Sequence, residues 1–348
     1  MMDNLMNHPG VIAGFAVIVV AMLVLDLGIF NKKSHEIKNK EAIGWSILWI
    51  SLSMIFSGVI YHFMGVEKFA QFQSAYWIEK ALSVDNLFVF ILVFQFYKVK
   101  KEYQHKVLFW GIIGALIMRA IFIFAGVGLI KLTYLPPFEL FGAKFMLSHA
   151  SDVVPNYDLK EFYRPNVVLS IFGFFLIYAG ITSWFANDNE DAEKDFSSNL
   201  GAKFVNRFYK VKKQYFGDKF FVVEDGIRYA TLLFVVLAVI EFTDLIFAVD
   251  SIPAIFAIAP DDPMILYTSN IFAILGLRSL YFLLANFMYM FSKLKYGLAI
   301  ILTFIGFKMV FAPFLHVPSV VSLGIVGGIL ILSVAVSLLF PEKKPNSI

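Results

Sequence analysis

The chain has 348 residues, 59% hydrophobic and 16% charged, with a net charge of +3 and a mean hydropathy of +0.75. A soluble domain is nearer a quarter charged, so most of this chain has a solvent other than water, and no nucleic-acid partner is expected. With no cysteine, disulfides, thiolate metal sites and cysteine nucleophiles are excluded.

A membrane-spanning helix needs about 20 mostly apolar residues. The pattern predicts an all-α, polytopic membrane helical bundle of about nine spans, at 10–30, 42–64, 75–97, 107–130, 167–186, 229–252, 266–290, 296–315 and 319–340. Met1–Pro9 has no Lys or Arg ahead of the first apolar run. A cleavable leader has a basic start, so that run is expected to remain as a span. Two connections are long. Residues 131–166 form an extracytoplasmic loop with Pro136, Pro137 and Pro155. Residues 187–228 form a charged cytoplasmic loop, acidic from Asp188 to Asp195 and basic from Arg207 to Lys213. The second is expected to be a solvated linker or a surface for anionic lipid. Either loop is a candidate docking point for a protein partner. The whole of 1–348 reads as one membrane transport domain.

Basic residues orient the bundle. With the N-terminus outside, the inner segments hold Lys32, Lys33, Lys38 and Lys40, then Lys98, Lys100, Lys101 and Lys106, and the basic residues from Lys194 to Arg228. Lys293, Lys295, Lys343 and Lys344 fall on the same side. The outer segments hold only Lys68, Lys131, Lys144, Lys160 and Arg164. That asymmetry follows the positive-inside rule and predicts a bacterial inner-membrane protein, N-terminus out and C-terminus in.

Span three contains Glu79, five residues, then Asp85-Asn86; span six contains Asp244, five residues, then Asp250-Ser251. The next span carries one arginine in each case, Arg119 and Arg278. Spans 3–5 thus resemble spans 6–8. A unit of three spans enters the membrane from opposite faces in its two copies, so an inverted 3+3 repeat is expected, the layout of many secondary transporters.

Asp26, Glu79, Asp85, Glu241, Asp244 and Asp250 fall inside or at the edges of spans. Each costs roughly 2.5–3.5 kcal/mol near a helix centre, so such residues mark pathways or sites. Ion pairing is the competing explanation. Lys80, Arg119, Arg278 and Lys308 are the bases in the spans, and six acids exceed them by two. The excess must be protonated, hydrated or balanced by a bound cation. Glu79 and Asp85 lie about 120° apart around a helix, whereas Glu79 with Asn86, and Asp244 with Ser251, share a face. The acids therefore converge only from several helices or through unwound backbone, and Pro253 predicts a break in span six. Carboxylate, amide, hydroxyl and carbonyl oxygens suit Mg²⁺, Ca²⁺ or Mn²⁺. His8, His35, His62, His105, His149 and His316 all fall in loops or near span ends, which disfavours a nitrogen cage.

Glu79–Phe90 (EKALSVDNLFVF), Glu241–Ile258 (EFTDLIFAVDSIPAIFAI), Thr268–Leu284 (TSNIFAILGLRSLYFLL) and Leu25-Asp26-Leu27-Gly28 resemble the TerC family, Alx-like branch, within the LysE-type exporters. The resemblance covers most of the chain. It implies manganese efflux, with an association with tellurium resistance and pH response. It also implies that Asp26, Glu79, Asp85, Asp244 and Asp250 are ion ligands. The function expected is a cation exporter, moving Mn²⁺ against proton entry and using no firm resident cofactor. Competition between protons and a divalent ion for buried carboxylates would couple the fluxes. Asn86, Glu241 and Ser251 join the expected metal set, with Arg119, Arg278 and Lys80 balancing charge. The alternative is a membrane partner that delivers metal to secreted proteins, or acts in the stress response, without being the transporter. A hydrolase is not expected, since no nucleophile motif such as G-x-S-x-G is present.

Overall fold

The computed structural model describes residues 10, 13–15, 17, 21, 39–133, 138–140, 143–145, 166–185, 199–260, 262–287, 293–312 and 317–340. Asp26 and most of the 131–166 loop lie outside the described residues, as do the side chains of Asp85 and Asp250.

The longest element is α1 (Asn39–Phe96), whose 58 residues would reach about 87 Å at a rise of ~1.5 Å each. A bilayer core is only about 30 Å thick. Gly65, at φ 83° and ψ 179°, divides α1 into limbs 39–64 and 66–96. The loop expected between spans two and three is therefore one glycine, after which the helix resumes at once. Lys98, at φ 51°, turns the chain into α2 (Lys101–Leu132). After α3 (Val167–Phe185) comes the short α4 (Leu200–Phe208). Then follow α5 (Leu232–Phe256), α6 (Pro263–Ile274), α7 (Leu277–Phe287), α8 (Leu294–Val310) and α9 (Ser319–Leu339). Among the described residues five helices, α1, α2, α3, α5 and α9, are long and apolar enough to cross a membrane, and the α6–α7 pair, bent by 41°, makes a sixth candidate.

Two small sheets amend the all-α expectation. In the 131–166 loop β1 (Phe138–Leu140) pairs antiparallel with β2 (Ala143–Phe145). In the 187–228 loop, β3 (Lys210–Lys212), β4 (Phe221–Glu224) and β5 (Ile227–Thr231) form a sheet of order β3-β5-β4. The β4–β5 pair is antiparallel and closes on Asp225-Gly226, the dipeptide that suits a two-residue hairpin. Gly201 of α4 packs on the α5 backbone at Ala238 and Val239. The described part of this loop is a folded unit seated on α5, not a solvated linker.

The core is aromatic. Phe15, from the first predicted span, meets Phe56 of α1 and Phe272 of α6, and Phe72 joins them. Ile55, Ile117, Ile171, Phe174, Leu332 and Val336 stand exposed on the outer helix faces, as a lipid-facing surface requires.

Polar contacts gather at the two ends of the helices. At one end Lys68 Nζ lies 2.6 Å from Asp262 Oδ2, and Ser319 Oγ donates to Glu67 Oε1 at 2.6 Å. At the other, Lys106 pairs with Asp218 at 2.9 Å and holds that carboxyl below its ordinary value. Tyr215, its hydroxyl pushed up to about 12 by burial, donates to the Tyr97 carbonyl at 2.7 Å. Tyr281 donates to Gln104 Oε1 at 3.0 Å at this same end.

The helix break also differs from expectation. α5 continues through Pro253 to Phe256, although the missing proline N–H removes one i→i−4 hydrogen bond. The break falls instead between α6 and α7, at Gly276, with φ 90°. A Cβ there would sit 2.7 Å from Trp49 Cδ1. Gly276→Ala combines a left-handed backbone, about 1–2 kcal/mol, with overpacking against a buried indole, about 1–3 kcal/mol. It is expected to lower the melting temperature in detergent by several degrees. Gly324→Ala, where nothing lies within 4 Å, should leave it unchanged or raise it slightly.

Candidate functional site

Three helices bring the buried charges together. The second limb of α1 carries Glu79, α2 carries Arg119 and α5 carries Asp244. A guanidinium stays charged in any protein environment, so a buried one demands carboxylate partners. Arg119 is 1% exposed and Glu79 fully buried. Arg119 Nη1 donates to Glu79 Oε1, and Nη2 lies 3.6 Å from Asp244 Oδ1. Longer contacts at 3.5 Å run from Nη1 to Ser251 Oγ and to Asn270 Oδ1 of α6. Ser83, one turn beyond Glu79, donates to its Oε1 at 3.4 Å. Glu79 Oε2, Arg119 Nε and Asn270 Nδ2 are buried without a hydrogen-bond partner among the described residues.

Arg278 and Asp244 line a second feature. With Leu87, Leu108 and Ile240 they enclose a cavity of about 20 Å³. That is room for a single water, and both polar walls could hold it. All of these residues lie toward the Tyr97–Lys106 end of the bundle relative to Glu79. Glu241, one turn along α5 from Asp244, rests its carboxylate directly over Gly114 of α2. Glu79, Asp244 and Glu241 thus step from the middle of the bundle toward that end.

The structure places the sequence-predicted set as follows. Glu79, Asp244, Ser251 and Arg119 meet at one centre; Arg278 and Glu241 flank it; Asn86 is buried two turns beyond Glu79. Lys80, expected to balance charge, makes its described hydrogen bond to backbone. Its Nζ donates to the Ala273 carbonyl at 3.2 Å, in the last turn of α6, where carbonyls lack intrahelical donors. Among the described residues no three of His, Asp and Glu cluster at metal-binding spacing. Asp26, and the carboxylates of Asp85 and Asp250, fall outside that description. Asn270 and Ser83 were missed by sequence reasoning. An amide inside an apolar run was the available signal for Asn270, and i+4 spacing from Glu79 for Ser83.

A family pattern described as "Integral membrane protein TerC family" matches residues 64–345. The chain belongs to the TerC family. The matched segment opens beside the Gly65 break and contains every described residue of the site. Full-length relatives agree with TerC membership. The chain is 41% identical to "Uncharacterized membrane protein STKORF319" of Myxococcus xanthus, over 98% of this chain and 96% of that one. It is 37% identical to "Putative membrane-bound redox modulator Alx" of Escherichia coli (strain K12), over 95% and 94%. No solved structure matches the chain. Together with its long apolar helices, TerC membership makes this a multi-pass integral membrane protein.

Proposed function

We propose that this TerC protein is a transporter, not an enzyme, that exports a divalent hard cation, Mn²⁺ foremost, against proton entry. The charge count of its buried centre carries the reading. Among the described residues Glu79, Asp244 and Glu241 are matched in number by Arg119, Arg278 and Lys80. Lys308, the fourth base, donates elsewhere, to Ser322 at 2.9 Å. Asp85 and Asp250 then add two negative charges on the same two helices, α1 and α5. Two excess carboxylates suit one divalent ion or two protons, and their competition would couple the fluxes. Asp26, Asn86 and Ser251 complete the proposed ligand set.

The proposal includes nine spans in a bacterial inner membrane, N-terminus out and C-terminus in, with spans 3–5 repeated inverted in 6–8 and kinship to the LysE-type exporters. The Gly65 division of α1 supports the count. The segregation of contacts supports the sidedness: Glu67, Lys68, Asp262 and Ser319 meet at the proposed outer end, Tyr97, Lys106, Tyr215 and Asp218 at the inner. The second limb of α1 and α5 run in opposite senses, as an inverted repeat needs. A reporter active only in the periplasm should therefore work when fused after Asp262 and fail after Lys344. Activity at both positions, or at neither, would sink the nine-span topology.

A relative's name suggests redox modulation. This chain has no thiol to exchange, so such an effect here would be indirect, through the pool of a redox-active metal. The deciding experiment is flux in proteoliposomes across Mn²⁺, Mg²⁺, Ca²⁺ and Zn²⁺. Protein-dependent Mn²⁺ movement, accelerated by an opposing proton gradient, is the expected result. Absence of flux for every ion would favour the other reading, a membrane partner that hands metal to secreted proteins.

A further inference from the structure

One cavity among the described residues is remote from the charged centre. It is an apolar groove of about 440 Å³ between α3 and α8, walled by Ile181, Trp184, Phe185, Ile300, Phe304 and Phe307. Its floor is fixed by close packing: a Cβ on Gly180 would come within 2.7 Å of the Ala299 carbonyl, and one on Gly306 within 2.8 Å of the Ile177 nitrogen. Ile181, Trp184, Phe185, Ile300 and Phe307 are all exposed, so the groove opens sideways, toward lipid. In length it follows α8 from Ala299 to Phe307, about 12 Å at ~1.5 Å per residue.

One mouth of the groove is cationic. Trp184 meets the Tyr296 ring at 5.1 Å, nearly edge-on. Lys295 Nζ lies 5.1 Å and Lys293 Nζ 5.9 Å from the same ring. These groups occupy the end of α3 and the start of α8. An indole and a phenol beneath two ammonium groups form an interfacial belt with a basic rim. Apolar length ending in paired lysines matches one kind of molecule, an anionic phospholipid with its acyl chain in the groove and its headgroup on the lysines.

We infer that the α3–α8 groove is a binding site for one anionic phospholipid, gripped at its headgroup by Lys293 and Lys295. The site is independent of ion transport and stands or falls separately from it. Its test uses the full-length protein, purified and delipidated in detergent, titrated with dioleoyl phosphatidylglycerol or dioleoyl phosphatidylcholine and read by native mass spectrometry. Wild type is expected to retain one phosphatidylglycerol, with a preference over phosphatidylcholine of about tenfold or more. Lys293→Gln with Lys295→Gln should erase the preference while leaving the lipid-free melting temperature unchanged. Ile300→Trp, which fills the groove, should reduce binding of both lipids. Equal binding of the two lipids by wild type would overturn the assignment. So would a preference that survives the lysine changes, or one lost only through unfolding of the variant. A second copy of the chain is the rival occupant. The chain has no native cysteine, so Ile300→Cys gives a single thiol; its efficient oxidation to a disulfide-linked dimer in membranes would assign the groove to that copy instead.

Discussion

Replacing Arg119 by alanine is expected to remove most of the protein from the membrane fraction. Its guanidinium joins Glu79 on α1 to Asp244 on α5, and all three side chains are almost shut off from solvent. Deleting the cation leaves two carboxylates facing each other in a low-dielectric interior. Breaking such a buried pair costs about 3–5 kcal/mol. Whole-domain stabilities are only about 5–15 kcal/mol, so the loss is a large share. The double variant Glu79→Gln, Arg119→Gln removes both charges and keeps hydrogen-bonding groups of similar shape. Its abundance should recover well above that of Arg119→Ala, because one unpaired carboxylate replaces two. Ile117→Ala, on the exposed face of α2, is the control for simple truncation. Immunoblots of membrane fractions and melting curves in detergent give the comparison. Equal abundance of Arg119→Ala and Ile117→Ala would mean that water reaches the guanidinium and that it holds nothing together.

The helices were legible because lipid leaves a spanning backbone few choices, and long apolar runs announce them. Their interruptions were harder to read. The polar stretch between spans two and three, Val66–Ser74, looked like a loop, yet it holds no Pro or Gly and the helix resumes after Gly65 alone. Polarity there marks depth, not disorder of the backbone. Pro253 looked like the breaker of a helix, but α5 runs through it for three more residues, to Phe256. Gly276 broke the following span unnoticed, since only tertiary structure shows Trp49 pressed against it. In the 187–228 loop, the aromatic and β-branched run Phe221–Val223 and the Asp225-Gly226 turn were a hairpin signal, overshadowed by the density of charge. Which acids meet which arginine was not legible at all. Glu79 and Asp244 are brought to Arg119 by the packing of three helices, and no spacing along one helix encodes that. The residue types could be read: carboxylates in excess over bases, within spans.

Asp85→Asn and Asp250→Asn are each expected to abolish Mn²⁺ export without loss of the protein. Asp244 would serve this test poorly, because it contacts Arg119 and a change there also alters the ion-pair centre. By number, the five acids Glu79, Asp85, Glu241, Asp244 and Asp250 exceed Arg119, Arg278 and Lys80 by two. Asp85 lies six residues beyond Glu79 on α1 and Asp250 six beyond Asp244 on α5, about 9 Å along each axis. Asparagine keeps the size of aspartate and lowers the cost of insertion, so abundance should hold or rise. It removes the negative charge on which a hard divalent cation depends, so ion binding should fall steeply. In proteoliposomes, Mn²⁺ flux of either variant should drop to the level of protein-free vesicles, and cells carrying one should accumulate manganese and become sensitive to it. Loss of both proteins from the membrane would show that these carboxylates are structural ion-pair members. Normal abundance with full flux would remove them from the pathway and leave Asp26, Glu79 and Asp244 as the remaining candidates.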